Sequence, residues 1–109
     1  MSETRLYLLQ RASAFVLAPL VIAHLVVIVT AVRGGLTAAE ILARTQSSLG
    51  WALFYGFFVL AVAVHAPIGL RNILREGTAW RGASLDWAVA TFGLLLFGLG
   101  LRAVWAVVA

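Results

Sequence analysis

The sequence predicts an all-α protein, a transmembrane helical bundle with three membrane-spanning helices and a short interfacial helix. Hydrophobic residues make up 63% of the 109 residues, well above the roughly 45–50% apolar content of soluble domains. Only 11% of the residues are charged, which is too few to cover the surface of a small water-soluble globule. The apolar residues also fall into three runs, each close to the roughly 20 residues that a helix needs to cross the bilayer.

The three runs define a single transmembrane domain over residues 1–109, with spans at residues 12–32, 49–70 and 85–108. The first two spans each enclose one histidine. The third span begins beside Asp86 and carries Arg102 near its end, from where a long side chain can reach the lipid headgroups. We therefore expect the lipid bilayer to surround almost the whole chain and expect no soluble domain.

The two connections between the spans differ in character. The first contains Thr37-Ala-Ala-Glu40, which has the spacing of a capping box, and this predicts the short interfacial helix. The second ends at Ser84, which is placed to cap the third spanning helix. The second connection is also rich in arginine, with Arg71, Arg75 and Arg81.

Arginine is distributed unevenly between the two predicted sides of the membrane. The N-terminal segment and the second connection carry more arginine than the first connection, so the positive-inside rule places the N-terminus in the cytoplasm. The net charge of +4 comes from arginines scattered at the ends of apolar runs. That distribution suits lipid headgroups, and we expect no nucleic-acid partner.

Two histidines inside predicted spans, His24 and His65, are the first functional candidates, because an imidazole in hydrocarbon is costly without a partner. The alternative is that each ring only hydrogen-bonds across a helix interface and helps the helices associate.

The sequence lacks the residue patterns of other catalytic and cofactor sites. Cysteine is absent, and the sequence has no Gly-rich phosphate loop, carboxylate pair or serine nucleophile with a plausible base. We therefore expect no catalysis on a soluble substrate within this chain.

The segment that follows His65 favours a haem site without excluding helix packing. Gly69 lies one helical turn further along the same face, where a missing side chain would let a flat macrocycle approach the backbone. Arg71 lies near the predicted cytoplasmic border, and its fork suits the carboxylate of a propionate. Pro67 should kink the helix beside the site. A neutral imidazole such as that of His65 is a good axial ligand for haem iron.

The first span offers a second set of candidates. Arg11 and Ser13 form a polar segment at its cytoplasmic end, where a quinone headgroup or a propionate could be hydrogen-bonded, although Arg11 fits an interfacial anchor equally well. His24 lies roughly 20 Å along the helix from Arg11, whereas His65 lies roughly 9 Å from Arg71 on the same membrane side. The two imidazoles should therefore differ in depth by about 10 Å. We expect that they do not bind one iron together within this chain.

At these residues the chain resembles the membrane-anchor cytochrome b subunits of succinate dehydrogenase (succinate:quinone oxidoreductase) and the related fumarate reductases. Arg11-Ala-Ser13-Ala14 looks like the family's His-Arg-x-Ser-Gly element. His65-x-x-x-Gly69-Leu70-Arg71 looks like its His-x-x-x-Gly-x-Arg-His element. The chain departs from the family pattern at three positions. Gln10 stands where the family often has histidine, Tyr7 where a quinone-site serine is often found, and Asn72 where a second histidine follows the arginine.

The resemblance implies haem b, either one or two, shared with a sister anchor subunit. It implies His65 as an axial ligand and a metal-binding residue, and His24 as a ligand of a different haem, as in the diheme members. It also implies Arg71 and Arg11 as propionate or quinone contacts and Ser13 as a further quinone contact.

The same resemblance implies electron transfer in respiratory complex II of a bacterial inner (cytoplasmic) membrane, with the chain itself a non-catalytic subunit. A flavoprotein subunit and an iron–sulfur subunit would oxidise succinate and pass electrons to quinone, and a second membrane-anchor subunit would complete the membrane part. Two other interpretations remain open at this point. One is a small membrane transporter or proton-relay subunit that uses the two intramembrane histidines. The other is a structural anchor without haem.

Overall fold

The computed structural model describes residues 2–109 and confirms the all-α fold class. Met1, which the predicted domain includes, lies outside the described residues. Over the described residues the chain folds into four helices: α1 (Glu3–Gly34), α2 (Ala38–Thr45), α3 (Leu49–Gly77) and α4 (Ala83–Val108). Of these, α1, α3 and α4 are long and apolar enough to cross a membrane.

The long helices extend beyond the predicted spans. The molecule is 48 Å long, whereas the hydrocarbon core of a bilayer is about 30 Å thick, so the helix ends reach into the headgroup regions or beyond. Large apolar side chains point outward along the helices. Phe15, Leu94 and Trp105 are 84%, 73% and 74% exposed, respectively. Such an apolar surface is stable against lipid and unstable against water.

The three long helices are arranged around α3, which packs against α1 on one side and α4 on the other. Within residues 2–109, α1 and α4 make few contacts with each other. The α3–α4 contact is close because glycines face α3. A Cβ atom on Gly93 would lie 2.9 Å from Cγ of Pro67, and one on Gly100 would lie 2.5 Å from Cγ1 of Val59. Small residues allow this close approach of helix backbones inside a membrane.

The α1 residues that contact α3 recur every three to four positions, as expected for a helix that packs along one side. Ser13 and Leu17 on this face are buried, and further members are half-buried. These further members are Leu6, Gln10, Leu20, His24 and Val27.

Helix α2 forms as the capping box predicts and docks on the end of α4. The Thr37 side chain accepts from the Glu40 amide, and the Glu40 side chain accepts from the Thr37 amide. The Thr45 hydroxyl then donates to the carbonyl of Val107 at 2.6 Å, and the Ser47 amide donates to the carbonyl of Val108 at 2.8 Å. The last carbonyls of a helix lack partners within the helix, so these bonds complete α4.

The predicted cap of α4 is wrong. The helix begins at Ala83, and its N-cap residue is Gly82, which has no side chain to bond the first amides. Ser84 lies inside the first turn, where its hydroxyl accepts a hydrogen bond from the indole nitrogen of Trp80 at 2.7 Å. The serine therefore holds the tryptophan of the preceding connection.

Candidate functional site

His65 lies at the contact between α1 and α3, where its Nδ1 is 3.2 Å from the Ser13 hydroxyl oxygen. The Ser13 hydroxyl itself donates to the carbonyl of Gln10, one turn earlier in α1, at 3.0 Å. Because a hydroxyl has one proton to donate, the Ser13 oxygen acts toward the ring as an acceptor. The arrangement therefore favours the tautomer in which Nδ1 of His65 carries the proton and donates to Ser13.

The other ring nitrogen of His65, Nε2, has no hydrogen-bond partner within residues 2–109. It is also not sealed inside the protein, because His65 is half-buried and its Nε2 atom is not fully enclosed. The lone pair of Nε2 is thus accessible from outside the chain. An imidazole with one nitrogen held by a hydrogen bond and the other free is the usual arrangement of a metal-ligating histidine.

Gly69 lies one turn beyond His65, but its open side is filled by α1. A Cβ atom at Gly69 would lie 3.3 Å from the side-chain nitrogen of Gln10. The side-chain oxygen of Gln10 is buried and has no hydrogen-bond partner within residues 2–109. The glycine was predicted to leave room for a flat macrocycle, and the structure instead shows an amide there. A macrocycle that lies directly on Gly69 would require the Gln10 side chain to turn away.

Arg71 is buried, and the carboxylates of the chain itself bind its guanidinium group. Its two terminal nitrogens donate to the Glu3 carboxylate at 3.2 and 2.7 Å, and Nε donates to Asp86 at 2.8 Å. Arg75 adds a second contact to Glu3 at 2.9 Å. These bonds join the first turn of α1, the C-terminal part of α3 and the first turn of α4.

Sequence reasoning missed this ion network. The sequence placed Asp86 only at the start of the third span and indicated no role for Glu3. The sequence did contain a signal for this ion network, because the predicted topology places Glu3, Arg71 and Asp86 on the same side of the membrane. Opposite charges on one side of a three-span protein are candidates for pairing.

Arg11 lies away from the His65 site. It is exposed, and its guanidinium carbon lies 5.9 Å from the centre of the Tyr7 ring, on the surface of α1. Residues two apart on a helix do not share a face, so Arg11 and Ser13 point in different directions. The structure joins Ser13 to His65 and leaves Arg11 outside this pair.

His24 occupies a different environment from His65. Its ring centre lies 5.0 Å from that of Phe58 and 6.3 Å from that of Tyr55 on α3, and within residues 2–109 its nitrogens have no hydrogen-bond partner. His24 follows Ser13 on the same face of α1 and lies about 16 Å further along the helix. With His65 beside Ser13, the two histidines lie further apart along the bundle than the predicted difference of about 10 Å in depth. At either separation, one iron is out of reach of both rings within this chain.

A groove of about 610 Å³ lies between α3, α4 and the start of α1. Its walls are mostly apolar, with Leu9, Ile68 and Phe97 among them, and Arg71 and Asp86 lie at one end. His65 does not line it, because that ring lies on the face of α3 that contacts α1. The groove and the His65 site are therefore separate features.

Comparison with known proteins yields one match. The sequence model of the succinate dehydrogenase/fumarate reductase transmembrane subunit family matches residues 2–107. No curated protein and no solved structure matches the chain. The matched range includes both histidines, the ion network and all of the contacts between the long helices described above.

Proposed function

This chain belongs to the succinate dehydrogenase/fumarate reductase transmembrane subunit family, and we propose that it binds haem b through His65 and contributes to the quinone site of such a complex. The chain is a multi-pass membrane protein, and its family role is to serve as a membrane subunit of the enzyme. The proposed partners are a flavoprotein subunit, an iron–sulfur subunit and a second membrane-anchor subunit. The proposed direction of electron flow is from succinate to quinone.

One observation carries the haem proposal: Nδ1 of His65 is anchored by Ser13 while Nε2 is free and accessible. This donor set fits an axial haem ligand. A bound haem would supply one-electron transfer. His65 would hold it, and any further protein ligand would come from the sister subunit, because His24 is too far along the bundle. His24 remains a prediction as the ligand of a second haem.

Of the two predicted arginine contacts, Arg11 is the more available. Arg71 already donates to Glu3 and Asp86, and a propionate would have to displace a carboxylate to reach it. Arg11 makes no ion pair within residues 2–109 and is exposed. We therefore propose Arg11 as the residue that contacts a propionate or a quinone oxygen at this end of the molecule.

A proton-relay or transporter role has less support. A relay needs polar groups within hydrogen-bond distance of each other, yet the α1 face between Ser13 and His24 presents Leu17 and Leu20 toward α3. His24 is surrounded by aromatic rings. The two histidines are thus separated by apolar packing.

The test is a reduced-minus-oxidised absorption spectrum of the complex purified through a tag on the flavoprotein subunit. We expect a b-type haem in the wild type and its loss in His65→Ala, with the flavin and iron–sulfur subunits still co-purifying. A complex that assembles with this chain but contains no haem would show a passive anchor. Failure of this chain to co-purify with the tagged flavoprotein subunit would contradict the whole proposal.

A further inference from the structure

We propose that Ser13 is a positioning residue for His65, whose hydroxyl selects the ring tautomer and orientation that present Nε2 to haem iron. The inference deepens the proposed function and rests on it. The family resemblance implied a quinone contact for Ser13, whereas the geometry gives its hydroxyl a different task.

The hydrogen bonds of Ser13 run in one direction. The ring Nδ1 lies 3.2 Å from the Ser13 oxygen, and the hydroxyl lies 3.0 Å from the Gln10 carbonyl. The opposite tautomer would require the hydroxyl to turn from Gln10 and donate to the ring. It would also place the N–H of His65 at Nε2, where residues 2–109 offer no acceptor. An unpaired N–H in apolar surroundings is costly, so the tautomer with the proton on Nδ1 is favoured.

The location of Ser13 makes this bond difficult to replace. Ser13 is only 7% exposed and lies between α1 and α3, so water has little access to Nδ1. Without the hydroxyl, Nδ1–H would lack a partner, and the ring would be free to rotate or to exchange its proton between the two nitrogens. The hydroxyl therefore fixes the orientation of the imidazole plane. It also keeps the ring proton on Nδ1, so that the lone pair of Nε2 stays available.

The expected effect on a bound haem has a definite direction. An acceptor on Nδ1–H raises the basicity of the ligand and strengthens its bond to the metal. A stronger donor stabilises ferric more than ferrous iron, so removal of the acceptor should raise the midpoint potential of the haem. Loss of such an outer partner typically weakens metal binding about 10–100-fold.

The experiment compares three variants in the intact complex. Ser13→Ala removes the hydroxyl, and Ser13→Thr keeps it. The matched control is Thr30→Val, because Thr30 donates to the carbonyl of Val26 at 2.9 Å on the same helix but on an exposed surface. The measurements are the rate of haem transfer to excess apomyoglobin, the midpoint potential from a redox titration, and the electron paramagnetic resonance g-values, which report the orientation of the ligand plane.

We expect Ser13→Ala to lose haem at least about 10-fold faster, with a raised midpoint potential and shifted g-values. Ser13→Thr should return all three toward wild type, and Thr30→Val should change none. If Ser13→Ala matches wild type while His65→Ala loses the haem, the positioning role is overturned and the ligand assignment stands. If wild type contains no haem, or if His65→Ala retains it, the proposed function fails, and the role of Ser13 fails with it.

Discussion

The two ends of the helical bundle are held together by different interactions. At the charged end, defined by Glu3, Arg71, Arg75 and Asp86, ion pairs join α1, α3 and α4. At the α2 end, the connection that contains α2 donates hydrogen bonds to the last carbonyls of α4, and aromatic rings surround His24. Ion pairs dominate the charged end, whereas capping hydrogen bonds and ring packing dominate the α2 end.

The difference explains why the two histidines are not equivalent. His65 lies toward the charged end, where Ser13 fixes one of its nitrogens by a hydrogen bond. His24 lies toward the α2 end, where Phe58 and Tyr55 restrict the ring by packing alone. Packing limits the position of a ring, but a hydrogen bond also determines which nitrogen is free. Only the environment of His65 determines which ring nitrogen is free.

The largest expected effect comes from exchanging each histidine for alanine. His65→Ala should abolish the haem bound at this position, because His24 lies too far along the bundle to replace it. His24→Ala should leave that same haem in place with an unchanged midpoint potential. Haem content per flavin, measured on both variants, checks the comparison. Loss of the same haem in both variants would contradict the separation of the two sites.

Arg71→Gln should loosen the charged end. The substitution removes the donors to both Glu3 and Asp86 and leaves two acids without their buried partner. Arg75→Gln is the matched control, since Arg75 is more exposed and, within residues 2–109, forms an ion pair with Glu3 alone. Amide hydrogen exchange in the first turns of α1 and α4 should accelerate strongly in Arg71→Gln and little in Arg75→Gln. Equal acceleration would show that the buried guanidinium does not join the three helices.

Glycines in α4 test the packing that lies between the two ends. Gly100→Ala would bring a methyl group against Val59, and Gly93→Ala would bring one against Pro67. Each should cost about 1–3 kcal/mol of stability, as overpacking does. Gly98→Ala is the control, because a Cβ atom there meets nothing within 4 Å, and its effect should stay within about 0.5 kcal/mol. Unfolding in mixed micelles with increasing dodecyl sulfate measures the difference.

The smallest expected effect is a pH dependence at the α2 end. Hydrogen bonds from the Thr37 amide and hydroxyl, aided by Arg44, hold the pKa of Glu40 below its ordinary value. A lowered pKa means that the capping box stabilises α2 above the ordinary glutamate pKa and loses this contribution as the pH falls through the lowered value. Hydrogen exchange of the α2 amides should therefore show weaker protection in acid.

Glu40→Gln separates the charge from the capping geometry, since glutamine can also close a capping box. In that variant the protection of α2 should no longer depend on pH in the acidic range. A wild-type protection that does not change with acidification would contradict the role of the Glu40 carboxylate.

The sequence was sufficient to predict three helices of spanning length, the capping box of α2 and the different depths of the two histidines. Length and hydropathy identify spanning helices because the bilayer thickness is fixed, and Thr37 and Glu40 form a local motif that depends on no distant residue. The depth of His24 and His65 follows from the rise per residue of a helix. These features all depend on position along a helix.

Features that depend on how a helix is rotated about its axis were not predictable. Helix geometry requires Ser13 and Arg11 to point in different directions, but hydropathy does not reveal which of the two faces His65. The filling of the Gly69 face by Gln10 likewise depends on the register of α1 against α3. The capping role predicted for Ser84 failed because α4 begins before it, at Ala83.

A density map of the intact complex tests the central claim most directly. The account predicts Nε2 of His65 within bonding distance of a haem iron and Nδ1 of the same ring directed at the Ser13 hydroxyl. A map in which the His65 ring contacts only neighbouring side chains, with no porphyrin beside it, would contradict the account.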